Sequence, residues 1–186
     1  MNDIIMLSLL LEGPKHGYRL KQEAARLSSG ETLHNNTVYP RLNRFLADGW
    51  ITQSETQGDR GQTRLLYELT LAGHHALIAR LNSFDQADAT SAPAFRLRVG
   101  LFDLLEPADR LRILRLRDSY LADRLRQSAA IAQAHQISGW PARSFAFATE
   151  QLNRERDWIA ELSQLVDLPS PLPSEVRQVS GGQPET

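Results

Sequence analysis

The sequence predicts a mostly α-helical chain with one small β-hairpin, built as two modules of different kinds. Three observations carry this. Up to about Phe84 the apolar residues mix a helical spacing with a spacing of two; from about Ala87 to Val166 the spacing is helical only. With 41% hydrophobic residues, the 186-residue chain can build a real core. From Leu168 to Thr186, Pro169, Pro171, Pro173, Gly181, Gly182 and Pro184 stand among polar residues, the composition of a disordered tail. The expected modules are therefore residues 1–84 and 87–167, followed by a tail over 168–186.

The first helix is expected from about Asp3 to Leu11, closed by Glu12-Gly13-Pro14. Ile4, Ile5, Leu7, Leu9 and Leu10 make it apolar on most sides, so it is buried or shared with a partner. A second helix follows Gly17, from about Tyr18 to Leu27. Leu20, Ala24 and Leu27 recur on one face, and Arg19, Lys21, Gln22, Glu23 and Arg26 lie on the other. The third helix starts near Thr37 as N-cap, with Pro40 in its first turn, where a missing N–H matters little. Val38, Leu42, Phe45 and Leu46 form its buried face, Thr37, Arg41, Arg44 and Asp48 the opposite one, and Gly49 ends it. After Trp50 the period becomes two: Ile51–Gln57 and Thr63–Leu69 read as strands joined by Gly58-Asp59-Arg60-Gly61. Thr70 then caps a fourth helix, Leu71 to Phe84. Helix, helix, helix, hairpin, helix is the order of a winged helix-turn-helix.

The second module reads as three helical segments, about Ala94–Leu105, Ala108–Ile137 and Ala142–Val166. Phe145, Ala148, Leu152, Ile159, Leu162 and Val166 fall at alternating three and four spacing with Glu155 as the one polar intruder, and Leu111, Leu114, Leu121, Leu125 and Ala132 form a weaker stripe interrupted by Asp118. Helices this long cannot bury themselves within so small a module. The expectation is an antiparallel pair packed on a second copy, with Leu121, Leu125, Phe145, Leu152, Ile159 and Leu162 at the dimer seam.

Composition removes several function classes. There are no cysteines, hence no disulfides, thiol nucleophiles or thiolate metal sites. No apolar run approaches the roughly 20 residues of a membrane span. The apolar start, MNDIIMLSLLLEG, lacks a basic leader and a small-residue cleavage site and reads as structure, so a cytoplasmic protein is expected. His74 and His75 project about 100° apart on a helix and cannot share a metal as an i, i+4 pair would. No catalytic motif, phosphate-binding glycine loop or metal pattern is present, so neither an enzyme nor a cofactor or metal is expected.

Three spaced motifs resemble the PadR family of transcriptional regulators. They are Gly13-Pro14 with His16-Gly17-Tyr18; Thr37-Val38-Tyr39-Pro40 with Leu42 and Arg44, leading into Gly49-Trp50-Ile51; and Tyr67-Glu68-Leu69-Thr70 with Gly73. Asn36 stands where that family often has glycine. Asp59-Arg60 and Leu69-Thr70 with Gly73 also resemble the wing of MarR-like regulators, but those place a dimerising helix before the module, whereas here the long helices follow it. The resemblance implies a homodimeric regulator of double-stranded DNA, by family habit a repressor.

A winged helix lays its third helix in the major groove. Arg41 and Arg44, one turn apart, are candidates for guanine or phosphate, and Arg60 and Arg64 on the wing for the minor groove and backbone. Tyr18, Asn35, Asn36, Thr37 and Tyr39 complete the candidate DNA surface. A two-fold pair would set its recognition helices about 34–36 Å apart and read an inverted repeat. The arginines from Arg110 to Arg126 are instead interleaved with Asp109, Asp118 and Asp123 and faced by Glu150, Glu155, Asp157 and Glu161, which suits internal pairing. The resemblance further implies a small aromatic ligand, for which Phe95, Tyr120, Trp140 and Phe147 are the candidate lining. Such a ligand would favour a dimer with mis-spaced recognition helices. An adaptor that binds a protein and no DNA remains an alternative.

Net charge is −1, and even residues 1–84 hold nine basic against eight acidic groups. Weak non-specific binding is expected, with affinity resting on a few placed arginines.

Overall fold

The computed structural model describes residues 1–27, 35–57 and 63–168, with the backbone alone for residues 35–37. The turn with Arg60 and the tail from Pro169 lie outside the described residues. The chain divides into two compact units at the Ser83–Phe84 junction.

The first unit contains α1 (Asn2–Leu9), continued by a 3-10 turn at Leu10–Glu12, then β1 (Lys15–His16), α2 (Gly17–Leu27), α3 (Asn35–Ala47), β2 (Ile51–Gln57), β3 (Thr63–Leu69) and α4 (Leu71–Asn82). It is the expected mostly helical winged arrangement, with a three-stranded antiparallel sheet in the order β1-β3-β2. The hairpin register runs from Ile51 opposite Leu69 to Gln57 opposite Thr63, and β1 adds Lys15 opposite Tyr67. Two residues are too few to show a period, so β1 leaves no signal in the sequence. The core holds Ile5, Met6 and Leu7 of α1, Leu20 of α2, Val38, Leu42 and Phe45 of α3, and Leu77 and Leu81 of α4.

Local chemistry sets the joints of this unit. Gly49 has φ +70°, and its N–H bonds to Leu46 O (3.1 Å) while Trp50 N–H bonds to Phe45 O (2.8 Å). This double bond closes α3 as a Schellman motif, and the rings of Phe45 and Trp50 supply its apolar contact at 5.4 Å. The Thr70 hydroxyl accepts from Gly73 N–H at 3.0 Å, capping α4, and donates to Gly49 O at 2.7 Å. Pro40 departs from expectation. Because α3 begins at Asn35, Pro40 is its sixth residue, past the first turn. Lacking an N–H, it leaves the Asn36 carbonyl without its helical partner.

Also in α4, both ring nitrogens of His74 are buried without a hydrogen-bond partner among the described residues. Burial, with the neighbouring His75, holds its pKa below the usual imidazole value. As pH falls below about 6.5 the unfolded chain takes up a proton that the folded chain refuses. Stability should therefore decline toward acid, by up to about 1.4 kcal/mol per pH unit, until the lowered folded pKa is reached. Thermal melts between pH 7.5 and 5 check this: His74→Leu should flatten the slope, and an unchanged slope would clear His74.

The second unit contains α5 (Gln86–Thr90), α6 (Ala92–Val99), a 3-10 turn at Phe102–Leu104, α7 (Pro107–Ala134) and α8 (Gly139–Gln164). The first expected segment is thus broken after Val99, and α5 is additional, capped by Asp85, whose carboxylate accepts from Asp88 N–H at 2.9 Å. The long helices run antiparallel, since Arg110 reaches Val166 while Arg117 and Asp118 reach Glu155 and Arg156. Phe95, Ile113, Leu114, Leu121 and Ile159 form this core, with Trp158 edge-on to Phe95 at 5.9 Å. Three arginines are built into it. Arg98 pairs with Asp88 (2.8 Å), Arg110 donates to the carbonyls of Phe102, Leu105 and Val166 (2.8 Å each), and Arg117 forks onto Glu155. Of the arginine-rich stretch, Arg110 and Arg117 are buried, Arg112 and Arg126 pair with the interleaved Asp109 and Asp123, and Arg115, Arg124 and Arg126 are exposed.

Candidate nucleic-acid interface

Helix α3, the one expected to meet DNA, buries Val38, Leu42 and Phe45 completely. At about 100° per residue, the direction opposite that face is held by Pro40, Asn43 and Ala47. Arg44 lies about 50° from this outward line and Arg41 about 110° from it. Expectation had both facing outward; their side chains instead lean toward α1. Arg41 Nε donates to Asp3 Oδ1 at 3.2 Å, Arg44 Nη2 bonds to Asp3 Oδ2, and Arg80 Nε of α4 stands 3.6 Å from the same oxygen. Arg80 also lies over the Trp50 ring at 4.1 Å. Asp3, at the start of α1, which packs on α4, thus stands among three guanidinium groups.

On the other flank of α3 a cleft of about 580 Å³ opens between the start of α2, α3 and β3. Tyr18, Arg19, Tyr39 and Arg64 line it, with Gly17 and Tyr67 on its floor. Gly17 makes it possible: a Cβ there would sit 3.2 Å from Tyr67 Cε2 and 3.4 Å from Tyr39 Cε1. His16 Nδ1 lies 3.1 Å from Leu65 O and ties the turn before α2 to β3. Tyr67 is buried, and burial together with Tyr39 pushes its phenol above the usual value. Tyr18 is 66% exposed, and its oxygen accepts from Gln22 Nε2 at 2.7 Å, which leaves its own O–H to donate. Arg64 has no ion-pair partner among the described residues, whereas Arg19 is held by Glu23 at 2.6 Å. Two guanidinium groups and two exposed phenols around a concave wall suit an anionic backbone.

The structure thus gathers Tyr18, Tyr39 and Arg64 in one place and puts Arg41 and Arg44 on the far side of α3. The side chains of Asn35, Asn36 and Thr37, like Arg60, lie outside what is described. Sequence reasoning missed Arg19, Gly17 and Tyr67 of the cleft, and Asp3. Arg19 was visible as the neighbour of Tyr18 in the first turn of α2; Asp3 carries no signal at 38 and 41 residues from its partners.

In the second unit the four aromatic candidates do not meet. Phe95 is fully buried, while Trp140 and Phe147 are 84% and 64% exposed. Trp140 lies 18 residues before Trp158, the α8 residue that touches Phe95, or about 27 Å along the helix. Only Tyr120 shares surroundings with Phe95, through Arg117, which stands 5.3 Å and 5.8 Å from their rings. Of the six seam candidates, Leu121 and Ile159 are buried inside their own chain, because this half of the hairpin closes on its own unit. Leu152 and Leu162 are half-buried. Leu125 and Phe145, with Ala129, Ala132 and Ile137, line an open groove of about 650 Å³ between α7 and α8. Among the described residues no cluster of histidine and acidic side chains could hold a metal ion, and no helix is long and apolar enough to cross a membrane.

Residues 6–79 match the model of the transcriptional regulator PadR-like family. Among solved structures, the chain is similar to a candidate transcriptional regulator from Thermoplasma acidophilum, at 24% identity over 42% of this chain and 75% of that one, TM-score 0.40. It is similar to Bacillus subtilis PadR in complex with operator DNA, at 17% identity over 89% and 97%, TM-score 0.43. The same protein with p-coumaric acid aligns at 17% identity over 89% and 94%, TM-score 0.38. Against curated proteins the chain finds no match.

Proposed function

We propose that the chain, which carries a PadR-like domain over residues 6–79, is a transcriptional regulator of that family and acts as a homodimeric repressor on an inverted-repeat operator. The observation that carries the DNA contact is the cleft beside α3, where Tyr18, Tyr39, Arg19 and Arg64 converge. Tyrosine hydroxyls and arginines there take the phosphate backbone, while the outward strip of α3 enters the major groove. The apolar groove of Leu125, Phe145 and Ile137, with exposed Trp140 and Phe147 on the same helix, is the surface a second copy covers. An aromatic effector is proposed to act by changing the spacing of the two recognition helices. No pocket residues are assigned to it, and p-coumaric acid is a practical first probe.

A fluorescence-anisotropy titration against the duplex upstream of its own gene tests this reading. Binding should weaken steeply with salt, and sedimentation should give two chains per duplex. Arg64→Ala should weaken binding to all sequences alike and reduce the salt slope by about one, as for a phosphate contact. Arg44→Ala should cost roughly 1–3 kcal/mol on the operator if its contact is to a base. Binding that ignores salt, or one chain per duplex, would overturn the proposal.

A further inference from the structure

Asp3 holds a carboxylate against both arginines of the recognition helix, and the grip on Arg44 differs from the structural arginine locks elsewhere in the chain. Arg117 sets Nε and Nη2 on the two oxygens of Glu155 at 2.9 and 3.0 Å, and its side chain is 4% exposed. Arg156 forks onto Asp118 in the same way at 2.6 and 3.2 Å. Arg44 holds Asp3 through Nη2 alone, its side chain is 49% exposed, and Arg80 shares the same Asp3 oxygen. A one-toothed, half-exposed pair on a shared oxygen exchanges readily for a two-toothed partner. Guanine O6/N7, presented only in the right base register, offers that geometry. Arg44 also lies nearer the outward line of α3 than Arg41, so a rotamer change can redirect it from α1 toward a duplex.

We propose that Asp3 is a specificity-determining residue: it holds Arg44 away from DNA until a two-toothed partner displaces it, and so weakens binding to random duplex more than to an operator. This rests on the DNA-binding reading above. The electrostatic logic is direct. Random phosphates met along a duplex compete with a carboxylate already in place, and the negative charge of Asp3 opposes their approach. A register that presents a guanine edge to Arg44 replaces the Asp3 contact with a stronger one. Residues 1–84 hold nine basic groups, and Asp3 stands against three of them, Arg41, Arg44 and Arg80.

The test is a salt titration on a scrambled duplex and on the upstream duplex, with Asp3→Asn, Arg44→Met and the double variant. Asp3→Asn should raise affinity for scrambled DNA about three- to five-fold at low salt and steepen the salt slope by about one. Affinity for the upstream duplex should change less, so the ratio between the two falls. In the Arg44→Met background the gain from Asp3→Asn should shrink to near nothing. Asp3→Ser, a good residue for a helix's first turn, serves as a second neutral variant if Asp3→Asn loses its thermal transition. Unchanged or lowered affinity for scrambled DNA would overturn the proposal and make Asp3 a positioning residue. A gain that persists in full without Arg44 would also overturn it, as a bulk charge effect. If the unaltered protein binds neither duplex in a salt-dependent way, the DNA-binding reading itself falls. If it binds and Asp3→Asn changes nothing, only the role of Asp3 does.

Discussion

Gly73→Ala is expected to remove the native fold of the first unit. A Cβ at this position would stand 1.9 Å from Trp50 O, 2.8 Å from Trp50 C and 2.7 Å from Leu69 Cδ1. Two of those atoms are backbone at the joint between α3 and β2, where Trp50 O already accepts from Thr70 N–H at 3.0 Å. A flexible side chain could turn aside; this backbone cannot move without breaking the Thr70 cap and the hydroxyl bond to Gly49 O. The expected loss is about 3 kcal/mol or more, at the upper end for overpacking. In a unit of this size that lowers the midpoint by roughly 12–24 °C. Urea denaturation followed by tryptophan fluorescence would measure it, and a loss below about 1 kcal/mol would refute the packing. Gly100→Ala is the control: its Cβ would meet nothing closer than 3.6 Å, and the change should be near neutral.

Arg117→Met should produce the largest loss in the second unit. Arg117 ties α5 to α7 through Ala89 O (2.6 Å) and α7 to α8 through both oxygens of Glu155. Removing the guanidinium strands a largely buried carboxylate and a carbonyl, and breaking such a pair from one side costs about 3–5 kcal/mol. Much of that penalty belongs to the stranded charge, so Arg117→Met with Glu155→Leu should recover a large part of it. A double-mutant cycle by chemical denaturation checks both statements; equal losses in the single and double variants would show that packing, not the ion pair, is at stake. Because α7 and α8 present the groove proposed for the second copy, the single variant should also weaken operator binding.

Elements with local causes were legible in the sequence. The end of α3 at Gly49 and the start of α4 at Thr70 follow from a left-handed glycine and a hydroxyl cap, interactions that span only a few residues. The two main strands follow from their period of two. Features that span the chain were not legible. β1 gains its identity from pairing with Tyr67, 52 positions away from Lys15. The apolar stripe of α8 was visible, but periodicity names an apolar face and not the surface that covers it. Hence Ile159 and Phe145 looked alike, although one is buried in its own chain and the other lines an open groove. Arg41 and Arg44 show the same limit: their spacing places them on one flank of a helix, while their partner Asp3 stands about forty residues earlier.

By itself, then, the sequence determined the order of the main helices and the hairpin, the Gly49 and Thr70 boundaries, and the PadR-like motifs, because these depend on backbone preferences and hydrophobic spacing within about ten residues. Only the tertiary structure decided how the charged groups around α3 are disposed. It turned Arg41 and Arg44 onto Asp3, gathered Tyr18, Tyr39, Arg19 and Arg64 around the cleft over Gly17, and buried two of the six expected seam residues, Leu121 and Ile159, inside their own chain. The physical reason is common to all three: the direction of a charge or an apolar face is set by which element packs beside it, and that neighbour is remote in the chain.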